Sequence, residues 1–498
     1  MEMEFDVIVA GSGAGGGAFA HVCAAEGKRV LVVERGRSFL GDNLPLDEQS
    51  TLVDKIPYDD RTIQINGSPE RLLMGSGVGG GTLVFGAAML RPSPADFSPG
   101  RHYGDRLERE LWDWPLSYEE LAADFERAER LYQLAGDELD DFAPLPRPVL
   151  APTPGPLALA PVNQQLAAAN RAAGLRPFRL PLAINSNRCA RCASCAGFLC
   201  PHGARRSSAQ ILVETSRLHS MTILENSDVL QLERSSKGRI SGIVIRSRAT
   251  GIAHVLRARQ YALGAGAIGS PAILLRSGFS APHLGRNYMT HYSPVALGLF
   301  ASSTGGADEF VKQLGFADFY FGTPDLPQKM GIVQSLPVPG PLLLRKSGLR
   351  RCPETVLRFV RRRLLPLAGI VEDLPDPRNR VTLKGDGAIE LRHSFNAFDE
   401  ERGRSLGRAM CRILRRGGAI ACVSRTFPKL EHVGHQCGTL RMAHSPRHGV
   451  VDRDCRVFGT DNLFVVDGSV LPTSLGVGPS LTIVANAMRV ARQALQNH

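Results

Sequence analysis

Apolar and polar positions fall into blocks that are clearest at the two ends of the chain. Phe5-Asp-Val-Ile-Val-Ala10 is a nearly continuous apolar run, as expected of a short strand buried on both faces. A glycine-rich turn, Gly11-Ser-Gly-Ala-Gly-Gly16, comes next, then the helix-compatible run Ala18 to Glu26. A second apolar strand, Val30-Leu-Val-Val33, ends in Glu34. Further on, Met221 to Leu232 and Ile240 to Arg248 read as strands, joined by a third at Val255 and Leu256. Tyr261 to Gly278 repeats the order strand, glycine turn, helix, and Leu463-Phe-Val-Val466 is a buried strand closing on Asp467. Pro479 opens a last helix through Ala494.

Between these blocks the patterning is looser. Ser117 caps a helix running to Phe125, with Glu120 three positions later in capping-box spacing. Asp137 to Pro161 is rich in proline and acid and reads as an extended connection, followed by a short helix over Val162 to Ala173. Thr355 to Leu365 is amphipathic at helical spacing, with a basic face.

Strand, G-x-G-x-x-G, helix, strand and acid within about thirty residues is the order a dinucleotide site requires. Gly11 permits the tight turn, Gly13 lets the backbone approach a pyrophosphate, and Gly16 lets helix and strand pack closely. The helix N-terminus offers N–H groups to phosphates, and Glu34 is placed to accept hydrogen bonds from a ribose. Leu72 to Thr82 holds a second loop, Gly75-Ser-Gly77-Val-Gly79-Gly80-Gly81, too poor in side chains to pack a core and suited to close approach by a flat or charged molecule.

The 498 residues are 43% hydrophobic and 21% charged, an ordinary globular composition with length for two large domains. No stretch is apolar enough to span a membrane. The acidic start, Met1 to Glu4, lacks the basic and apolar segments of a signal peptide, and the scattered Cys23, Cys352, Cys411, Cys422 and Cys455 suit buried thiols. Both point to a cytoplasmic protein. The net charge of +11 is concentrated: residues 341–365 hold eight basic side chains against Glu354 alone. Such a block points to one anionic surface, an inner membrane face or an acidic redox partner such as a cytochrome or a quinone-reducing system. It does not point to nucleic-acid binding by the whole protein.

The loop at Gly75–Thr82, the segment Trp114 to Phe125, the segment Tyr261 to Gly278, Leu284-Gly-Arg-Asn-Tyr-Met-Thr-His291 and the C-terminal block resemble the glucose–methanol–choline (GMC) oxidoreductases. The resemblance implies an α/β protein with a discontinuous Rossmann-like FAD-binding domain (1–100, 186–290 and 445–498). An α+β substrate domain with a largely antiparallel sheet would take 101–185 and 291–444. FAD contacts fall on Gly11, Gly13, Ala14, Gly16, Glu34, Arg35, Gly75, Gly79, Gly80, Thr82, Val229, Gly266, Asp467, Gly468 and Pro479. His435, in His-x-x-Gly-Thr, matches the family's catalytic base; His432 and His444 lack that motif. A histidine suits the task because its ordinary pKa lies near neutrality. Gly478 departs from the family, which carries a histidine or asparagine there. Ser480, Asn486 or an upstream residue then substitutes, or His435 works alone, or the reaction is not ordinary alcohol oxidation.

Cys189, Cys192, Cys195 and Cys200, followed by Pro201, are spaced almost as in a bacterial ferredoxin run and resemble the cysteine-rich insertion of some GMC dehydrogenases. A 3Fe-4S or 4Fe-4S cluster, a closed zinc site and metal-free thiols are the three readings. The expectation is an FAD-dependent dehydrogenase that oxidises CH–OH in an alcohol, sugar or sterol-like substrate, with electrons leaving through iron–sulfur. The rivals are an oxidase of the same fold that releases hydrogen peroxide and a flavin-dependent lyase or decarboxylase.

Overall fold

The computed structural model describes residues 5–42, 47–72, 74–236, 238–346, 348–426 and 434–496. Its first layer is a five-stranded parallel sheet in the order Leu463–Val465, Ala258–Leu263, Phe5–Ala10, Val30–Val33, Met221–Leu224. Three separate stretches of chain supply these strands, so the nucleotide-binding half is discontinuous. The apolar run at Phe5 fits its central place: Val7, Ile8, Val9 and Ala10 are all buried, as a parallel strand covered on both faces must be. Helix Ala14–Ala25 covers the sheet and packs against the C-terminal helix Ser480–Gln496. At Gly11 φ is +100°, and a Cβ there would stand 2.4 Å from the Gly264 carbonyl oxygen. The two glycine turns read in the sequence are pressed against each other.

Met221 to Leu232 is not one strand. Asn226, at φ +51°, breaks it. Met221–Leu224 ends the parallel sheet, while Ser227–Arg234 joins Ile240–Ser247 and Ala253–Leu256 in an antiparallel ribbon.

The second layer is a six-stranded antiparallel sheet, Ala419–Thr426, Pro294–Phe300, Leu364–Gly369, Val333–Ser335, Leu314–Phe316, Phe178–Arg179. Helix Ala397–Arg416 lies across one face. Asn396 caps it by accepting the Asp399 N–H at 2.8 Å, and acids in its first turn and arginines in its last match the helix dipole. In Pro294–Phe300 alternate residues divide between two tasks: Ala296 and Phe300 pack in the core shared with that helix, while Val295 and Leu297 line a cavity on the other side. The α/β fold with a second, largely antiparallel domain is thus present.

The Ser117–Glu120 capping box forms as expected, heading helix Tyr118–Tyr132. The amphipathic segment is helical only over Glu354–Arg361; Leu364 already belongs to a strand. Cys23 and Cys455 are buried thiols, but Cys411 and Cys422 are joined as a disulfide between helix Ala397–Arg416 and strand Ala419–Thr426. The pairing removes one of the two observations behind the cytoplasmic reading. Among the described residues no helix is long and apolar enough to cross a membrane.

Candidate active site

A cavity of about 1780 Å³ runs between the two sheets, well above the roughly 300–1,000 Å³ of an ordinary small-ligand pocket. At one end it is lined by Gly11, Gly13, Ala14, Glu34, Arg35 and Val229; along its length by Gly75, Gly80, Thr82 and Gly266; at the other end by His435, Asp467, Gly468 and Pro479. Of the residues expected to contact a cofactor, Gly16 and Gly79 stand behind this surface. A Cβ on Gly16 would come 2.0 Å from the Gly11 carbonyl oxygen, so its role is close packing. Gly79, at φ +107°, starts the tight turn Gly80–Leu83 and backs onto Ala209.

The wall fits FAD. Helix Ala14–Ala25 begins at Gly13 with no side-chain cap and no acid in its first turn, and a Cβ on Gly13 would meet nothing within 4 Å. The helix N-terminus therefore opens into free space lined by backbone donors, which suits a pyrophosphate. Glu34 is held at the ribose position by Ser12 N–H at 3.1 Å, Ser12 Oγ at 2.5 Å and Gly36 N–H at 2.9 Å. Burial pushes its pKa up against those bonds. Asp467 accepts the Gly266 N–H at 2.8 Å and the Ser270 hydroxyl at 2.5 Å, which ties the middle and C-terminal glycine turns together.

The cysteine loop does something other than bind metal. Among the described residues no group of three or more His, Cys, Asp or Glu side chains is placed to hold a metal ion. Cys189, Cys192, Cys195 and Cys200 are free cysteines, and neither the iron–sulfur nor the zinc reading stands. The electron exit through a cluster falls with it. The residues between the cysteines instead line the cavity at Ala193, Ser194, Ala196, Gly197 and Phe198. Arg205 fixes this wall. Its buried guanidinium donates to the Phe85 carbonyl at 3.2 Å, the Phe198 carbonyl at 2.6 Å and the carbonyls of Leu83 and Cys195. Tyr58 adds a hydroxyl bond to the Gly197 carbonyl at 2.6 Å. Loop and glycine turn are thereby fastened into one surface.

At the far end His435 sits at φ +63°, a left-handed conformation whose cost for a non-glycine residue is roughly 1–3 kcal/mol. The Thr290 hydroxyl holds the preceding carbonyl, Gly434 O, at 2.7 Å. His435 Nδ1 lies 2.9 Å from His291 Nδ1, and His291 Nε2 lies 2.9 Å from the Leu475 carbonyl oxygen. These contacts fix the protons. A carbonyl only accepts, so His291 Nε2 carries hydrogen and its Nδ1, in the neutral ring, is a lone pair. His435 Nδ1 must then donate, which leaves His435 Nε2 as a lone pair. Burial pushes both histidines down; for His435, with His291 and the Lys312 ammonium nearby, the pKa falls to about 3. Lys312 is itself buried, pushed down to about 8, and bonded to Gln334 Oε1 at 3.2 Å.

The support continues behind the pair. Leu475 N–H donates to Glu372 Oε1 at 3.2 Å, and Glu372 pairs with the buried Lys329, which also holds Asp96 Oδ1 at 2.6 Å. Burial alone would raise the Glu372 pKa, but the Lys329 ammonium holds it below the usual range. In the sequence His291 is only the end of a connecting motif. What marks it as functional is its place in the fold, opposite Glu372 in a two-residue antiparallel bridge. Of the candidate substitutes for the missing side chain at Gly478, Ser480 lines the cavity, while Asn486 is buried against Cys455 Sγ and Arg489. His444 is exposed, and His432 lies outside the described residues.

A nucleotide-binding parallel sheet, an FAD-shaped wall and a neutral histidine at its end define an FAD-dependent oxidoreductase. Residues 5–293 and 375–487 match two family models, both described as GMC oxidoreductase. The chain belongs to the GMC oxidoreductase family. It is 31% identical to 6'''-hydroxyparomomycin C oxidase of Streptomyces lividus, over 99% of this chain and 92% of that protein. It is 28% identical to paromamine 6'-oxidase of Streptomyces fradiae, over 98% and 91%. Its fold is similar to that of pyridoxine 4-oxidase from Mesorbium loti, with a TM-score of 0.70, 19% identity and 99% of each chain covered.

Proposed function

We propose that the protein is an FAD-dependent oxidase that converts a CH–OH group of a small molecule to a carbonyl and passes the electrons to dioxygen. The observation that carries the reading is the unprotonated Nε2 of His435 at the end of the FAD-shaped cavity, beside Gly478. Bound FAD supplies the hydride acceptor and returns the electron pair to dioxygen, giving hydrogen peroxide. The protein's part is the proton. A substrate hydroxyl at His435 Nε2 gives up its hydrogen while the carbon loses hydride, so no free alkoxide has to form in a partly dry site. The imidazolium thus formed keeps its Nδ1–H bond to His291, whose own orientation is fixed by Leu475. Val84, Phe85 and Gly86 line the same cavity.

Two observations favour oxidase over dehydrogenase. The cysteine loop is no electron exit, and both Streptomyces relatives carry the name oxidase. The test is to assay the purified flavoprotein against a panel of alcohols in air and to follow hydrogen peroxide. Turnover with an artificial acceptor but no peroxide would make it a dehydrogenase. If no alcohol bleaches the flavin under anaerobic conditions, alcohol oxidation itself is wrong.

A further inference from the structure

We propose that the substrate is an anionic alcohol, a CH–OH compound whose phosphate or carboxylate group docks on a collar of Arg345, Lys346, Arg350, Arg361 and Arg425 where the cavity opens. This rests on the reading of the His435 end as an alcohol-oxidising site and adds the chemical class of what enters it.

All five basic side chains line the cavity, and Lys346, Arg350 and Arg425 are exposed as well, so they mark where it meets solvent. Of the other arginines on this cavity, Arg35 lies against Asp59, Asp60 and Asp228 and Arg61 against Asp59, whereas Arg276 donates to the Gly387 carbonyl at 3.3 Å. The collar is nearer the second case. Among the described residues only Arg345 has a carboxylate within ion-pair range, Glu354 at 3.7 Å. Arg361 donates to the Pro339 carbonyl at 3.2 Å and Lys346 to the Leu52 carbonyl at 3.5 Å, neutral acceptors that leave the charge unbalanced. Two acids share this part of the wall: Glu48 accepts the N–H groups of Gly340, Leu342 and Leu343 at 2.9, 2.7 and 3.3 Å, and Asp47 accepts that of Ser50 at 2.7 Å, so the five basic side chains still outnumber the carboxylates beside them.

The collar is also at a useful distance from the chemistry. Arg425 pairs across the sheet with Val295, four residues along the chain from His291, or about 13 Å of extended backbone. Val295 lines the cavity at the level of Arg425, and Leu297, Pro366 and Leu336 line it on the side of that level away from His291. An excess of positive charge beside such an apolar wall concentrates anions and holds a substrate by its charged end, which leaves the other end to reach His435. The basic stretch read in the sequence as a docking surface is thus divided: Arg345, Lys346, Arg350 and Arg361 face the cavity, while Arg351, Arg358, Arg362 and Arg363 do not line it.

The test compares 4-hydroxybutyrate and 4-hydroxybutyl phosphate with 1,4-butanediol and 4-amino-1-butanol on the holoenzyme, wild type and R350Q/R425Q. Calorimetry with butyrate and butyl phosphate, which carry no alcohol to oxidise, reads binding alone. We expect kcat/KM for at least one anionic alcohol to exceed that for the diol by about tenfold or more. That ratio should fall by about tenfold in the double variant and recover in R350K/R425K, since the charged contact is what the variant removes and the lysines restore. The carboxylate and phosphate arms distinguish the two sources of charge. Equal kcat/KM across all four alcohols, or a ratio unmoved by the variant, overturns the proposal. So does loss of binding to phosphatidylglycerol vesicles in the variant with alcohol preference unchanged, which would make the collar a membrane dock. If no alcohol of either charge is oxidised, the oxidase reading has failed, and the calorimetry still decides whether the collar binds anions.

Discussion

A Cβ placed on Gly478 would stand 3.3 Å from His435 Nε2 and 3.5 Å from its Cε1. The absence of a side chain at Gly478 keeps this flank of the proposed base clear, since even a Cβ there would press on the atom that carries the lone pair. A larger group would crowd the reacting hydroxyl, so the glycine sets how bulky the carbinol carbon can be. Gly478→Asn is expected to cut kcat/KM on branched secondary alcohols by about tenfold or more and to affect small primary alcohols less. A side-chain clash of one or two methylene groups is worth about 1–3 kcal/mol. Steady-state kinetics on matched primary and secondary alcohols check it. Equal losses on both would mean that the glycine serves the backbone and not the substrate.

His291 tests the proton arrangement. Replacing it with Phe keeps the bulk but leaves the Leu475 carbonyl without a donor and removes the acceptor for His435 Nδ1–H. The His435 ring then has no preferred tautomer or orientation. The variant should lose about 10- to 100-fold in kcat, with a smaller change in KM, while His435→Gln should lose about 10²- to 10⁴-fold. Flavin reduction followed by stopped flow isolates the step. A wild-type rate in His291→Phe would show that the pair is only packing.

The depressed histidines also make a pH prediction. His435, at about 3, stays neutral in the folded protein well below the ordinary histidine value of 6.5, whereas the unfolded chain takes up the proton near 6.5. The unfolded state therefore binds more protons as pH falls, and stability is lost between about pH 6.5 and 3. His291 is depressed as well and adds to the slope. Lys312, held at about 8 against an ordinary 10.5, acts in the same sense at the other end: stability rises as pH climbs from about 8 to 10.5. Urea midpoints measured from pH 5 to 10 report both arms. His435→Gln should flatten the acid arm, and Lys312→Met the alkaline one.

Much of the nucleotide half was legible because its glycines are required by backbone geometry. Gly11 at φ +100° and Gly16 packed on the Gly11 carbonyl occur in fixed spacing, and a spacing is visible in sequence. Buried strands and caps are equally local, hence the success at Phe5–Ala10 and at Ser117. The failures were long-range. Four cysteines within twelve residues look like ligands, yet whether thiols converge depends on the loop's path, and that path is set by Arg205 reaching back to Leu83 and Phe85, about 120 positions earlier. His291 and His435 are 144 positions apart, so nothing in either motif announced the other. Cys411 and Cys422 are close in sequence, but they meet only because helix and edge strand turn back on each other.

Arg205 gives the sharpest test of that corrected loop. Its guanidinium is buried, holds carbonyl groups of both the cysteine loop and the glycine turn, and has no carboxylate partner within ion-pair range among the described residues. Burial pushes its pKa down; a guanidinium nonetheless keeps its proton in proteins, and the cost of burying the charge is met by the fan of carbonyl acceptors. Arg205→Met strands four carbonyls and should destabilise the protein by more than about 1–3 kcal/mol, the cost of a single buried acceptor left unpaired. Arg205→Lys keeps the charge but replaces a planar fork with a single ammonium that cannot reach all four acceptors, so it should rescue only part of that loss. Because the wall it pins lines the FAD-shaped cavity, both variants should also release FAD more readily, and the absorbance ratio of flavin to protein after gel filtration checks this. Substituting Cys189, Cys192 and Cys200 together with Ser, by contrast, should leave flavin content near wild type. A loop organised by its cysteines would show the reverse order of damage.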